Sequence, residues 1–384
     1  MTGSVSKVSS KKRIVLVGAQ PDYITKLRGQ LLRDLVAAGH DVWAVGQERD
    51  PAVEEQLLAW GVRYAVVPIS RRGLAPLADF RTLLAFHRFF RSVRPDSMLV
   101  YTTKSIVWGL IGAWTARVPQ RFAMVAGRGM ALIEQPGFKA TTLRYLTMLL
   151  LKISLNFAHG VVFQNDEDMA MFQSYRLIPQ STPVVRVFGS GVELDLFPSR
   201  ELPSGPITFL LIGRLLKRKG VAEFVTAAKK VRAQFPFARF VVVGGEDKGP
   251  DAIDTALLEK WRREGVVDFR GFEENVKPYL AASHVFVLPS IAEGVPRSAL
   301  EALATGRAVI TTNAAGCRDT VVAGRNGAQI AFGDSDALAA EMAFLASNPD
   351  AVRRAGQESR KIAEERFDAR AVSREIIAMM GLKV

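Results

Sequence analysis

Two glutamates, Glu293 and Glu301, have the type and spacing to bind a polyhydroxylated, phosphorylated ligand. The apolar run before them, residues 285–288, predicts a buried strand, and Pro296 fits the first position of a short helix over residues 298–304. One carboxylate would therefore lie in the loop at the carboxyl end of a strand, and the other one to two turns into the next helix. Loop amides and the positive helix end would lie beside them. This combination suits a sugar diphosphate; the alternative is a pair of solvated surface charges.

A second cluster precedes this pair in the chain. Residues 213–220 place lysines and arginines between two glycines, directly after an apolar run that predicts a strand. Ligands of open α/β sheets bind at the carboxyl ends of strands, and arginine and lysine suit phosphate. An isolated cluster of this kind is usually a solvated basic turn. Its expected position at the same sheet edge as Glu293 and Glu301 favours a binding site.

Composition limits the class of protein. A chain of 384 residues, of which 48% are hydrophobic, favours two domains with separate cores. The single cysteine, Cys317, excludes a disulfide framework and fits a reducing compartment. The four histidines are scattered, without metal-ligand spacing. The polar and basic first residues lack the apolar segment of a secretory signal.

The net charge of +13 is unevenly distributed. Residues 1–192 contain 24 lysines and arginines against 13 aspartates and glutamates, and the remainder contains 27 against 25. A basic first half predicts an anionic surface or substrate, whereas no motif favours nucleic acid. Residues 75–94 and 143–157 are apolar stretches interrupted by basic residues. They fit either helices on an anionic membrane surface or core helices with a solvated basic face. Residues 143–157 are too short to span a bilayer.

Strands and helices alternate along the chain, which predicts α/β domains with parallel sheets. Short apolar runs predict strands at residues 13–17, 41–45, 64–68, 97–101, 122–125, 160–163, 207–212, 240–243, 285–288 and 308–311. Residues 336–380 show helical periodicity throughout. The first βαβ unit lacks a Gly-x-Gly-x-x-Gly motif, which argues against a dinucleotide site.

We expect four segments. Residues 1–192 form one α/β domain, and residues 193–206, rich in proline, glycine and serine, form a linker. Residues 207–365 form a second α/β domain. Residues 366–384 form a C-terminal helix that packs back towards the first domain.

The segment from Ser290 to Gly306, with the pattern P-S-x-x-E-G-x-P-x-S-x-L-E-A-x-A-x-G if Pro289 is included, resembles the Glu-x7-Glu signature of retaining glycosyltransferases of family 4. Residues 213–220 resemble the Gly-Arg-Leu-x-x-x-Lys-Gly motif of the same family. The resemblance implies a GT-B fold, in which two Rossmann-like domains have parallel sheets facing across a cleft. Residues 1–192 would be the acceptor-binding domain, and residues 207–365 the nucleotide-sugar-binding domain. Residues 26–32 and 189–195 are similar to a subgroup that extends polyprenyl-diphosphate-linked sugars in bacterial glycan assembly.

The resemblance also implies roles for residues on the donor side. Arg214 and Lys219 would hold the donor diphosphate and neutralise it as it leaves, Glu301 would bind the ribose, and Glu293 the donor sugar. The other donor-binding residues implied are Gly294, Val295, Pro296, Arg297 and Ser298 in the loop and helix start, and Phe272 and Val276 near the base. Neither a metal nor a cofactor is expected. With no evident nucleophile, we expect retention through front-face displacement.

The acceptor implied is a polyprenyl-diphosphate-linked saccharide, bound by a protein that is peripheral on the cytoplasmic face of the membrane. Candidate acceptor-side residues are Arg28, Lys104, Arg128 and Glu134, since none of the four histidines matches the position that many relatives use. The function predicted is transfer from a nucleoside diphosphate sugar, most simply a UDP-sugar. Two alternatives remain: a GT-B-fold UDP-N-acetylhexosamine epimerase or hydrolase, and a non-catalytic subunit of polysaccharide assembly.

Overall fold

The computed structural model describes residues 11–18, 20–69, 75–127, 132, 137–249, 251–291 and 293–383. The chain divides into two compact units, Met1–Val187 with Arg370–Val384, and Phe188–Ala369. Each unit is built on a parallel sheet covered by helices, so the predicted α/β class with two Rossmann-like domains is confirmed.

The first unit has a seven-stranded sheet in the order β3-β2-β1-β4-β5-β6-β7. Its strands are β1 (Arg13–Val17), β2 (Asp41–Gly46), β3 (Arg63–Val66), β4 (Ser97–Tyr101), β5 (Gln120–Val125), β6 (Gly160–Phe163) and β7 (Val184–Arg186). Its helices are α1 (Pro21–Ala37), α2 (Pro51–Ala59), α3 (Pro76–Val93), α4 (Thr103–Thr115), α5 (Phe138–Leu155), α6 (Asp166–Ser174) and, from the end of the chain, α13 (Ala369–Met379).

Alternate residues of each central strand point to opposite faces of this sheet. Val15 of β1 joins a core that also holds Phe86 of α3 and Leu151 of α5. Leu16 joins the opposite core, to which α13 contributes Ile376. Helices α3, α4 and α5 therefore cover one face of the sheet, and α1 and α13 cover the other.

The second unit has a six-stranded sheet in the order β10-β9-β8-β11-β12-β13. Its strands are β8 (Thr208–Ile212), β9 (Arg239–Val243), β10 (Asp268–Phe269), β11 (Val285–Leu288), β12 (Ala308–Thr312) and β13 (Gly327–Ile330). Its helices are α7 (Val221–Gln234), α8 (Thr255–Glu264), α9 (Lys277–Ala281), α10 (Arg297–Thr305), α11 (Ser335–Ser347) and α12 (Pro349–Arg366).

The order of this sheet reverses between β8 and β11, which are neighbours in space but not in sequence. Their following loops run to opposite sides and leave a crevice at the carboxyl edge, where ligands of doubly wound sheets bind. The basic turn follows β8 and the Glu293 loop follows β11. The fold thus brings the two sequence motifs to one edge.

Residues 193–206, expected to form a linker, pack on the second unit. Phe197 is buried in its core, and Arg307 donates hydrogen bonds to the carbonyls of Arg200 and Glu201 at 3.0 and 3.1 Å. Proline and glycine here shape a fixed connection, since its carbonyls have partners within the unit.

The sequence prediction is wrong in three details. The C-terminal region is three helices, because α11 ends at Ser347, just before Asn348 and Pro349, and α12 ends at Arg366. Strands β7 and β13 lie at sheet edges, where partial exposure removes the apolar run that would reveal them. Pro296 is extended (ψ 114°) and precedes the first helical residue rather than being that residue.

Candidate functional site

Lys219 and Glu293 meet at the carboxyl edge of the second sheet. The Nζ of Lys219 contacts the Oε1 of Glu293, and the hydroxyl of Ser290 donates to the same oxygen at 2.8 Å. Gly220 allows this approach, because its φ of +71° is left-handed and a Cβ there would lie 2.2 Å from the carbonyl oxygen of Pro289. The carboxylate is therefore held in one position by a cation and a hydroxyl group before any ligand binds.

The loop that carries Glu293 is fixed by the loop that follows β12. The amide of Glu293 donates to the carbonyl of Ala315 at 3.1 Å. Gly316 has a φ of +72°, and a Cβ there would lie 2.1 Å from the carbonyl oxygen of Gly294. Only glycine fits this contact, so Gly316 sets the position of the loop next to the candidate ligand.

Helix α10 presents Glu301 towards the same edge. Its carboxylate accepts a hydrogen bond from the Nε of Arg297 at 2.6 Å and is almost buried. Ser298 donates to the carbonyl of Ile212 at 3.0 Å, which fastens the first turn of the helix to the end of β8. Val295 is buried in the core of this unit. The residues between the two glutamates are thus anchored by packing and by hydrogen bonds.

Arg214 lies on the exposed side of this edge. Its Nη1 is 2.8 Å from the Oδ2 of Asp247, in the loop after β9. The guanidinium is about half exposed, so solvent screens the pair and an anionic ligand can compete with the aspartate. Arg214 and Lys219, the two cations predicted to bind the diphosphate, are therefore each paired with a carboxylate at this edge.

Phe272 and Val276 lie at the neighbouring part of the edge. Phe272 is 73% exposed and lies over Gly245, where a Cβ would be 3.4 Å from the Cβ of the phenylalanine. Val276 directly precedes α9 and packs on the core. An exposed aromatic face of this kind can stack a planar base.

Cys317 lies beneath the Glu293 loop, with its Sγ 4.0 Å from the carbonyl oxygen of Ser290. Burial, and in second place the charge of Glu293, raises the pKa of the Cys317 thiol to about 12. The sulfur is therefore a neutral, apolar group at physiological pH and no nucleophile.

In the first unit, the two described candidates, Arg28 and Lys104, have contacts within the unit itself. Arg28 of α1 is 2% exposed, its guanidinium lies 5.0 Å from the ring centre of Tyr101, and burial lowers its pKa. Lys104 forms a 2.9 Å ion pair with Asp79 of α3, which is nearly buried. Arg128 and Glu134 lie outside the described residues. Arg28 and Lys104 thus contribute first to packing and to charge pairing.

Sequence reasoning missed Ser290, Asp247 and Gly316. Ser290 is part of the P-S pair before the loop, and Asp247 follows a strand that ends at the same edge. The rule that polar residues after parallel strands share one edge would have found both. Gly316 has no comparable signal, since its need for glycine arises from a contact between two loops.

Within the described ranges, no group of three or more His, Cys, Asp and Glu side chains is placed to hold a metal ion. No helix in the same ranges combines the length and apolar character of a membrane span.

Two family models match the chain. Residues 26–187 match the glycosyl transferase 4-like domain, and residues 206–348 match glycosyl transferases group 1. Among curated proteins, the N,N'-diacetylbacillosaminyl-diphospho-undecaprenol alpha-1,3-N-acetylgalactosaminyltransferase of Campylobacter jejuni is 29% identical over 70% of this chain and 72% of its own.

Solved structures share the fold over almost the whole chain. Sucrose-phosphate synthase from Thermosynechococcus elongatus has a TM-score of 0.77 and 20% identity, with 96% of this chain and 98% of that one covered. Anabaena Alr3699/HepE, in complex with UDP and glucose, has a TM-score of 0.75 and 17% identity, with 96% and 99% covered. These likenesses confirm the GT-B fold. The two family models, which together cover most of the chain, show that it is a glycosyltransferase with a 4-like domain and a group 1 domain.

Proposed function

We propose that the protein is a retaining hexosyl- or N-acetylhexosaminyltransferase that moves a sugar from a UDP-sugar to a polyprenyl-diphosphate-linked saccharide. The observation that carries the proposal is the fixed group of Lys219, Ser290 and Glu293 at the carboxyl edge of the second sheet, with Arg214 beside it. It offers cations for a diphosphate and an oriented carboxylate for a sugar within one edge. UDP as the nucleotide is supported by its presence in the HepE complex.

On this proposal the diphosphate binds by exchange of partners. Lys219 and Arg214 turn from Glu293 and Asp247 to the phosphate oxygens, which carry more charge than a single carboxylate. The freed carboxylate of Glu293 accepts hydrogen bonds from hydroxyl groups of the donor sugar. Glu301 takes the ribose hydroxyls, and Phe272 with Val276 borders the base. The backbone amides of Gly294, Val295, Arg297 and Ser298 complete the contacts to sugar and phosphate, since Pro296 has no N–H.

The proposed reaction breaks the bond between the anomeric carbon and the diphosphate oxygen, and forms the new glycosidic bond on the same face. The proton of the acceptor hydroxyl passes to the leaving phosphate, so atoms and charge balance without a protein nucleophile. Arg214 and Lys219 stabilise the negative charge that develops on the leaving group, which is the role that a divalent cation has in other transferases. We propose that no metal and no cofactor take part.

Two observations support the proposed polyprenyl-diphosphate-linked acceptor. The Campylobacter jejuni relative is named for a diphospho-undecaprenol-linked substrate, and the first half of this chain carries the excess of basic residues. We assign acceptor binding to the first unit, with Lys104 as the described candidate for contact; Arg128 and Glu134 remain candidates from the sequence. A lipid-linked acceptor requires that the protein work at the cytoplasmic face of the membrane as a peripheral protein.

Among the alternatives, the family comparisons favour a transferase over a UDP-N-acetylhexosamine epimerase or hydrolase. A non-catalytic assembly subunit would not need the charged residues of the donor edge. Detectable sugar transfer by the purified protein would exclude a non-catalytic subunit.

The decisive experiment incubates the protein with a panel of UDP- and GDP-sugars and polyprenyl-diphosphate-linked saccharides. Mass spectrometry identifies the lipid product, and NMR assigns the anomeric configuration. We expect one UDP-sugar to be consumed only when acceptor is present, with an α-linked product from an α-linked donor. Donor loss without acceptor would establish the epimerase or hydrolase. No product from any pair, with UDP binding unchanged in Glu301→Ala and Arg214→Ala, would overturn both the activity and the site.

A further inference from the structure

Helices α3 and α5 carry apolar side chains that the core of the first unit does not use. Both pack on α4, which lies between them. We call their solvent-facing side the α3–α5 face. Its large exposed apolar side chains include Leu77, Phe80, Phe138, Tyr145, Leu149 and Ile153. On α5 they recur every three to four residues, or after seven, and therefore form one stripe along the helix.

The charge on this face has one sign. Across α3, α4 and α5 the only carboxylate in the sequence is Asp79, which is nearly buried and paired with Lys104. The exposed charged side chains on the two outer helices are Arg81, Arg88, Arg91, Lys139 and Lys152. A surface that is both apolar and exclusively basic complements anionic lipid, since it offers side chains to the acyl boundary and cations to the headgroups.

The three most exposed of these side chains, which would be the anchors in a membrane, lie at one end. Leu77 and Phe80 lie in the first turns of α3, and Phe138 is the first residue of α5. Helices that follow parallel strands begin at the carboxyl edge of the sheet, where ligands of this class of domain bind. The basic residues Arg88 and Arg91 lie further along α3, away from that edge. Insertion of the anchors would therefore bring the ligand-binding edge of the first sheet to the bilayer.

We propose that the α3–α5 face is the membrane-docking surface of the protein, with Phe138, Leu77 and Phe80 inserted below the headgroups of an anionic bilayer. The inference deepens the proposed function, on which it rests for the lipid-linked acceptor, and identifies the surface that meets the lipid. A second copy of the chain is a poorer occupant, because two basic faces would repel each other.

Vesicle flotation tests the surface without any substrate. The probes are vesicles of phosphatidylcholine alone and of phosphatidylcholine with phosphatidylglycerol. We expect the unaltered protein to bind only the second kind, and Phe138→Ser to weaken binding at least tenfold. The matched control is Phe237→Ser, because Phe237 of the second unit is 84% exposed and Phe138 is 87% exposed. It should leave binding unchanged.

The charge contribution has its own variants. Replacing Arg81, Arg88 and Arg91 by glutamine should weaken vesicle binding about fivefold for each charge removed, the factor that corresponds to ~1 kcal/mol per basic residue. Lys260→Gln with Arg263→Gln, on α8 of the second unit, should have no effect. All these side chains are exposed, so unchanged melting temperatures are expected throughout.

Activity separates this inference from the proposed function. With a short-chain, water-soluble diphosphate-linked saccharide as acceptor, Phe138→Ser should retain full turnover, whereas turnover of the long-chain acceptor in vesicles should fall with vesicle binding. Turnover of the soluble acceptor without any vesicle binding would overturn the docking surface and leave the function standing. Vesicle binding with no turnover of either acceptor would do the reverse. Equal losses in Phe138→Ser and Phe237→Ser, or a dimer that Phe138→Ser splits while vesicle binding persists, would also overturn the surface.

Discussion

Both the carboxyl edge of the second sheet and the α3–α5 face concentrate cations, but the two regions differ in how these cations are paired with carboxylates. At the edge, Lys219 is paired with Glu293 and Arg214 with Asp247. On the face, the exposed basic residues belong to helices whose single carboxylate is nearly buried and bound to Lys104. At the edge, the two cations each have a carboxylate partner, whereas the α3–α5 face carries an excess of positive charge.

The difference indicates two kinds of recognition. A paired site binds an anion by exchange, so geometry decides which ligand can replace the carboxylates, and partial burial limits screening by salt. An unpaired face attracts any sufficiently dense negative surface, and exposed cations lose that attraction as ionic strength rises. The first is suited to one nucleotide sugar, and the second to a membrane of variable composition.

The largest effect is expected for Glu293→Gln. The amide keeps the size of the side chain but loses the charge that Lys219 and Ser290 orient, so we expect the turnover number to fall about 100- to 1,000-fold. The dissociation constant of UDP should not rise, because the carboxylate that competes with the diphosphate for Lys219 is lost. Steady-state kinetics and calorimetry measure the two quantities.

Glu365→Gln is the control for this change, since Glu365 is exposed on α12, and it should behave like the unaltered protein. If Glu293→Gln weakened UDP binding as much as turnover, Glu293 would be a structural partner of Lys219 only. The paired edge would then have no catalytic role, and its contrast with the α3–α5 face would have no bearing on function.

Gly316→Ala tests whether the second loop holds the paired edge in place. The new Cβ would lie 2.1 Å from the carbonyl oxygen of Gly294, so the loop must move. Gly324→Ala is a matched control, because Gly324 also has a positive φ, of 78°, but has open space around its Cβ position. Backbone strain of about 1 kcal/mol should lower the stability of both variants, and only Gly316→Ala should also lower turnover, by at least tenfold. Equal turnover in the two variants would contradict the role of Gly316.

Asp247→Asn should have a smaller effect, of the opposite sign for binding. Removing a carboxylate that competes for Arg214 should tighten UDP binding a few-fold, since an exposed ion pair is worth about 0.2–1 kcal/mol. Asp350→Asn breaks the comparable exposed pair with Arg353 on α12 and should not change UDP binding. Weaker UDP binding in Asp247→Asn would mean that Asp247 positions Arg214 and does not compete with the ligand.

The sequence located the loops that meet at the paired edge, because its information there is local. The strand before Glu293 is an uninterrupted apolar run, and the loop and helix carry their own proline and glycine signals. The rule that strand ends meet at one edge then joined this loop to the turn that carries Lys219. The pairing of Arg214 with Asp247 was not predicted, since it depends on which two strands are neighbours in the sheet.

The first unit was predicted less fully because its features depend on packing. Arg28 has the same residue type as Arg214, yet the fold buries it against Tyr101. The basic and apolar pattern of residues 75–94 fitted a membrane helix and a core helix equally. The structure shows that α3 is a core helix that also leaves apolar side chains in solvent, with Phe86 buried and Phe80 exposed.

The last prediction concerns the pH dependence of stability and the interior beneath the paired edge. Burial raises the pKa of the Cys317 thiol from 9.0 to about 12. The unfolded chain therefore loses this proton near pH 9 while the folded protein retains it, so the folded state binds more protons and the free energy of unfolding falls as pH rises between those values. The contribution is complete below pH 9 and should decline by about 1.4 kcal/mol per pH unit above it. Urea unfolding of the unaltered protein and of Cys317→Ala, at pH 8 to 10.5, should show the difference in stability shrinking above pH 9. A stability difference that stays constant with pH would mean that water reaches the Cys317 thiol. The interior beneath the loops of the paired edge would then be as open to solvent as the α3–α5 face.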